Sequence, residues 1–301
     1  MTSFFKQLFN TDRASTIGTY LYFRLFETVI IYQVLFYSWS WGGYIPQLGE
    51  VILPLGMANY IDVSFMFTGM YAYINAALIT VFVLLAFFRK GRYFYLLALL
   101  AMHLQYIARF SQGEISHGSN FTGTALMTLA LAAIFFKNEA KLQKFALGLL
   151  IFLIGIGYSS AAFAKLIGTG FTWVDGRHLY LWIGERSTDV LSQNGTFELN
   201  FYQKLVLQHY WLATLTLIIG ICTEFIGFLL WFRKTRWFAA TALIVMHLGV
   251  TLSMNIEFNA FIVVLLLIGY PWGRLFDYLL EKKPGSTFHR FLQRRLIAIN
   301  N

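Results

Sequence analysis

The chain has 301 residues, 58% of them hydrophobic and only 12% charged, with a mean hydropathy of +0.61. A soluble domain carries about a quarter charged residues, so this composition excludes a water-soluble globule and reads as an integral membrane protein. One cysteine, Cys222, excludes an internal disulfide.

Residues 1–16 read as an amphipathic lead-in with Phe4, Phe5, Leu8 and Phe9 on one side, suited to an inner membrane surface. Apolar runs follow at 18–40, 66–88, 93–111, 120–136, 145–167, 209–232, 237–253 and 257–272, the shorter ones marginal against the roughly 20 residues a bilayer needs. They predict an all-α, polytopic helical bundle of about eight transmembrane helices over 17–273, followed by a basic tail over 274–301. The first run carries Arg24 and Glu27 and is not a cleavable signal. With the N-terminus inside, seventeen Lys and Arg fall in inner segments; Arg109, Arg177, Arg186 and Lys204 are the four in outer ones. That asymmetry predicts a multi-pass protein of the plasma (inner) membrane with both termini cytoplasmic. The net charge of +9 then becomes a topology signal and an attraction to anionic membrane lipids, with no need for nucleic acid. The sizeable outer loops are 41–65 and 168–208, and the second holds most of the unusual chemistry.

Polar groups inside apolar runs are costly and normally paired or functional. Arg24 and Glu27, three residues apart, read as an intramembrane ion pair on one helix face. His103, Gln105, Glu224 and His247 read as lone polar groups, suited to interhelical hydrogen bonds or to lining one cavity. Lys165 follows the small residues Ser159, Ser160, Ala161, Ala162 and Ala164 near the outer end of the fifth run. Desolvation there disfavours the ammonium and makes a neutral, basic amine accessible; the alternative is a lysine that snorkels to the headgroups. The 56 aromatic residues exceed what two interfacial belts use and suit a site for a flat, apolar ligand. Gly155 and Gly157 read as helix packing. The six histidines have no metal-ligand spacing, so no metal is expected.

The string from Tyr158 to Leu179, with Tyr158, Lys165, Leu166, Trp173, Gly176 and Leu179 in the arrangement Y-x6-K-L-x6-W-x2-G-x2-L, resembles the membrane region of vitamin K-dependent γ-carboxylases and the horizontally transferred transmembrane (HTTM) domain. That superfamily includes the sporulation-delaying protein B family. Tyr22-Phe23-Arg24-Leu25-Phe26, His117 before Asn120, Glu224, Thr235-Arg236 and His247 resemble further parts of the pattern, which covers about 18–272.

The resemblance implies Lys165 as the general base that deprotonates a reduced quinone of the vitamin K hydroquinone type, assisted by His117, and carboxylation of a peptide by carbon dioxide. Substrate-binding roles are expected of Arg109, Asn120, Trp173, Asp175, His178, Glu224 and His247, at a site on the extracytoplasmic side. Two other readings stay open: a non-catalytic maturation or export partner of a small secreted peptide, and a quinone-interacting redox subunit working with partner proteins. Only about 30 residues follow the last run, so the large extramembrane portion of the animal carboxylases has no counterpart in this sequence.

Overall fold

The computed structural model describes residues 3–49, 52–113 and 117–282, and among them every regular element is helical. In chain order the helices are α1 (Ser3–Leu8), α2 (Ile17–Tyr44), α3 (Tyr71–Phe87), α4 (Phe94–Phe110), α5 (Asn120–Phe135), α6 (Glu139–Thr169), α7 (Gly176–Asn194), α8 (Phe201–Gln208), α9 (Tyr210–Phe225), α10 (Arg236–Met254), α11 (Asn259–Gly269) and α12 (Trp272–Glu281). Among the described residues, three segments are long and apolar enough to cross a bilayer unaided: Glu139–Val174, Tyr210–Trp231 and Arg236–Met254. The helices Tyr71–Phe87, Phe94–Phe110 and Asn120–Phe135 are apolar but, at 16 or 17 residues, reach only about 25 Å. The run 257–272 is not one helix: α11 ends at Gly269 and α12 begins at Trp272. Pro271 explains the break, because it disfavours a helical residue before it, and Tyr270 is extended at φ −116°, ψ 156°.

Described residues fall into two compact units, one reaching to Leu150 and resuming at Pro271, the other Ile151–Tyr270. The first is organised on α2, whose Phe23, Phe26, Ile30, Val34 and Trp41 are buried. Its side chains pack against α3, α4, α5 and α12. Polar side chains tie these apolar helices together: Gln105 donates to the Ser38 and Ala72 carbonyls at 3.1 and 3.3 Å, Asn75 to the Ala101 carbonyl at 2.8 Å, and Thr122 to Gln33 at 3.1 Å. Such bonds matter in lipid, where water offers no alternative partner. Asp277 of α12 caps the start of α2, accepting from the Gly18 N–H and the Thr16 hydroxyl, each at 2.7 Å. The lead-in packs into this unit: Leu8 is buried, and Phe9 stacks on Phe145 at 5.9 Å.

In the second unit, the segment expected as an outer loop over 168–208 is largely helical. Asp175 caps α7 by accepting from the Arg177 N–H at 2.9 Å, and Gly195, at φ 73°, ends it in the left-handed conformation that glycine adopts without strain. Leu179 and Ile183, one turn apart, bury against Val206, Ala213 and Leu217. Gly155 lets α6 approach Trp231 and the Gly227 carbonyl, positions a Cβ would occupy, whereas Gly157 faces open space, so the packing role expected of both belongs to Gly155.

Candidate functional site

Helix α6 places Tyr158, Ala162 and Lys165 at i, i+4 and i+7, which superimposes them on one face. Ala162 is buried and small, leaving room for the polar side chains on either side of it. Tyr158 Oη lies 2.5 Å from Nε2 of His247 on α10, and the imidazole packs against Phe258 and Phe261 with ring centroids at 4.7 and 5.4 Å. Nδ1 of His247 is buried and makes no hydrogen bond among the described residues. Two turns beyond Tyr158, Lys165 Nζ donates to both carboxylate oxygens of Glu224 on α9, each at 2.5 Å. Trp173 roofs the ammonium with its ring centroid 4.8 Å from Nζ. The side chains of Lys165 and Glu224 are 30% and 14% exposed, so neither reaches far out of the protein.

This geometry changes the reading of three residues. Glu224 is not a lone polar group but the partner of Lys165. Lys165 is not free: its nitrogen is chelated by a carboxylate, so the amine does not present a lone pair to an incoming acid. Asp175, expected to bind substrate, is instead committed to the α7 cap and to Arg177, which approaches to 2.5 Å. That guanidinium holds the Asp175 carboxyl well below the usual carboxylate range.

The remaining motif positions have structural reasons. Gly176 sits where a Cβ would meet the Tyr210 carbonyl and Ala213, and its N–H donates to Thr214 at 3.1 Å. Leu179 is fully buried. His178 Nδ1 is 3.1 Å from the Trp173 carbonyl oxygen, and its ring stacks on Trp182, which in turn contacts Trp173. His178 therefore props the indole that covers Lys165.

The other expected residues belong to the first unit. Glu27 is wholly buried and accepts from Arg24, from Tyr95 and from Arg89 at 2.5 Å, while Arg89 also binds Glu139 at 2.7 Å. Arg109 lies over Trp41 and Tyr44, each at 5.3 Å. The backbone of His117 opens a short 3-10 turn, His117–Ser119; its side chain lies outside the described residues. Asn120 lines a cleft of about 430 Å³ together with Trp41, Met102, His103 and Tyr106. His103 and Tyr106 stack nearly parallel, 10° apart at 5.9 Å. Among the described residues, no group of three His, Cys, Asp or Glu side chains is placed to hold a metal ion.

No family model, no curated protein and no solved structure matches this chain. Function is therefore read from the two sites themselves. The sequence left Tyr158 and His247 as separate motif positions, read Arg89 only as one of the inner cations and missed Tyr95 and Glu139 altogether. A signal for the Lys165 pair was present: two opposite charges in otherwise apolar runs seek each other, because an unpaired charge in hydrocarbon is expensive.

Proposed function

We propose that this protein is an eight-span, multi-pass plasma-membrane protein with cytoplasmic termini, of the γ-carboxylase-like (HTTM) superfamily, which performs proton transfer on a lipid-soluble quinol at the Lys165–Glu224 pair. The observation that carries the reading is the row of titratable groups on apolar helices, Tyr158 with His247 and Lys165 with Glu224. Groups of this kind inside membrane segments mark proton or substrate paths. The donor set fits a reduced quinone: an aromatic roof in Trp173, an ammonium and a carboxylate.

A reduced quinone supplies an acidic phenolic hydroxyl. Glu224 takes up its proton on a carboxylate oxygen, and the Lys165 ammonium turns from Glu224 to the negative charge left behind. Net charge within the site is unchanged, which keeps the step affordable in a medium of low dielectric. The pair works as one base, replacing the free amine that the sequence alone suggested. With vitamin K hydroquinone and dioxygen supplied to the protein in lipid nanodiscs, deprotonation speeds the two-electron oxidation of the hydroquinone to quinone, with dioxygen reduced to hydrogen peroxide; Lys165→Ala and Glu224→Gln each abolish that acceleration over the uncatalysed rate, while Asp175→Asn leaves it unchanged. Full turnover in Lys165→Ala sinks the proposal.

A quinone-binding role without turnover is favoured by the first unit's cleft, which is concave, largely apolar and walled by flat rings. In that case quinone co-purifies with the protein, is lost in Tyr106→Ala and is indifferent to Lys165→Ala.

A further inference from the structure

In the second unit, α7 ends at Gly195 and the chain reaches α8 through residues 196–200, which contain no turn or bend. Exposure alternates along this connection: Thr196 and Glu198 are exposed, Phe197 and Leu199 half-buried. That period of two is the mark of an extended strand with one face on the protein. The main-chain N–H and C=O groups of Thr196, Phe197, Glu198 and Leu199 make no hydrogen bond among the described residues. Unpaired main chain of this kind is a template for another strand. It also belongs in water, since hydrocarbon leaves such groups unsatisfied at a cost of several kcal/mol each.

Beside it runs a groove of about 670 Å³, walled by Tyr180, Ile183, Leu199 and Leu207 and carrying Glu198 and Lys204. Gly184 also lines it, and a Cβ at that position meets no atom within 4 Å, so the groove is open there. Four extended residues present about 13 Å of pairing edge.

We propose that this groove docks an extended peptide, which pairs its main chain with 196–199 and seats every second, apolar side chain against Tyr180 and Leu207. The two opposite charges at the groove select a peptide that carries a basic residue toward Glu198 and an acidic one toward Lys204. A lipid chain fills the apolar wall but leaves the main-chain groups and both charges unanswered, and it is the lesser fit. Peptide docking is independent of the chemistry at Lys165, so full binding by Lys165→Met separates the two proposals.

The test uses the full chain in nanodiscs and a dye-labelled seven-residue peptide alternating valine with lysine, threonine and glutamate. In strand pairing, only alternate residues of the guest face the host edge. Saturable binding is therefore expected, weakened at least tenfold when one alternate set of peptide amides is N-methylated and unchanged when the other set is. Gly184→Phe, which fills the groove from an open position, weakens binding at least tenfold with the melting temperature preserved. The proposal is overturned by absence of saturable binding, by equal effects of the two methylated sets, by full binding to Gly184→Phe, or by displacement of the peptide by phospholipid alone.

Discussion

The two units bury ionic groups in opposite ways. Glu27 in the first is fully buried, and its two oxygens are shared by Arg24, Arg89 and Tyr95, with Glu139 balancing the second guanidinium. Among the described residues, Lys165 and Glu224 in the second have only each other and the face of Trp173, and the neighbouring His247 keeps one buried nitrogen unpaired. A saturated centre has no capacity left for a ligand and holds helices in register. A two-membered pair beside an orphan nitrogen has hydrogen-bonding capacity that substrate can take up. By that criterion Glu27 is architectural and Lys165–Glu224 is chemical.

The contrast is sharpest when one partner is removed. Glu27→Gln puts a neutral amide in a wholly buried position beside Tyr95 and takes the shared counter-charge from Arg24 and Arg89, and breaking an ion pair with a buried member in this one-sided way costs up to about 3–5 kcal/mol. The variant is expected to express poorly or to melt far below the parent in detergent, and a melting curve close to the parent's would show that Glu27 is not the keystone of its unit. At the second centre, Lys165→Met and Glu224→Gln each cost about 1–3 kcal/mol, because part of each side chain is accessible and can recruit water. The double variant Lys165→Met/Glu224→Gln recovers most of that loss, since no charge is left alone, yet it stays inactive toward quinol. A melting-temperature cycle over the four proteins checks the coupling; additive losses would remove the distinction between the two centres.

Much of this was legible in the sequence, and the exceptions have a common cause. The all-helical architecture followed from apolar runs, and helices form within each of the eight expected intervals. Helix α7 reads as loop on hydropathy, because a helix buried on one side by Leu179 and Ile183 is mostly polar in sequence. The break at Pro271 was written in the residue but overridden by the hydropathy on either side of it. In the candidate site, Lys165 was identifiable from its local sequence, whereas Glu224 lies 59 residues away, and nothing in the linear spacing reports which helix faces which. Arg89 counted as one more inner cation, and its contact with Glu27, 62 residues apart, depends on how α2 and α3 pack.

A third ion pair extends the comparison to the solvent-facing end of the scale and carries the smallest expected effect. Asp175 and Arg177 lie at the start of α7, where the arginine side chain is 77% exposed. Because Arg177 depresses the folded-state value of the Asp175 carboxyl, the carboxylate contributes stability that is fully present above the unfolded range near pH 4 and is lost as pH falls toward the folded value. Asp175→Asn preserves the cap but not the charge. Its melting temperature is therefore expected slightly below the parent's at pH 7, with the gap narrowing as the pH is taken below about 4. Asp175→Ala loses the cap as well and sits lower still at pH 7. If Asn and Ala melt together there, the Asp175 side chain acts through its charge alone; if Asn matches the parent, only the cap matters and the exposed pair is inert, as its position at the end of the burial series would require.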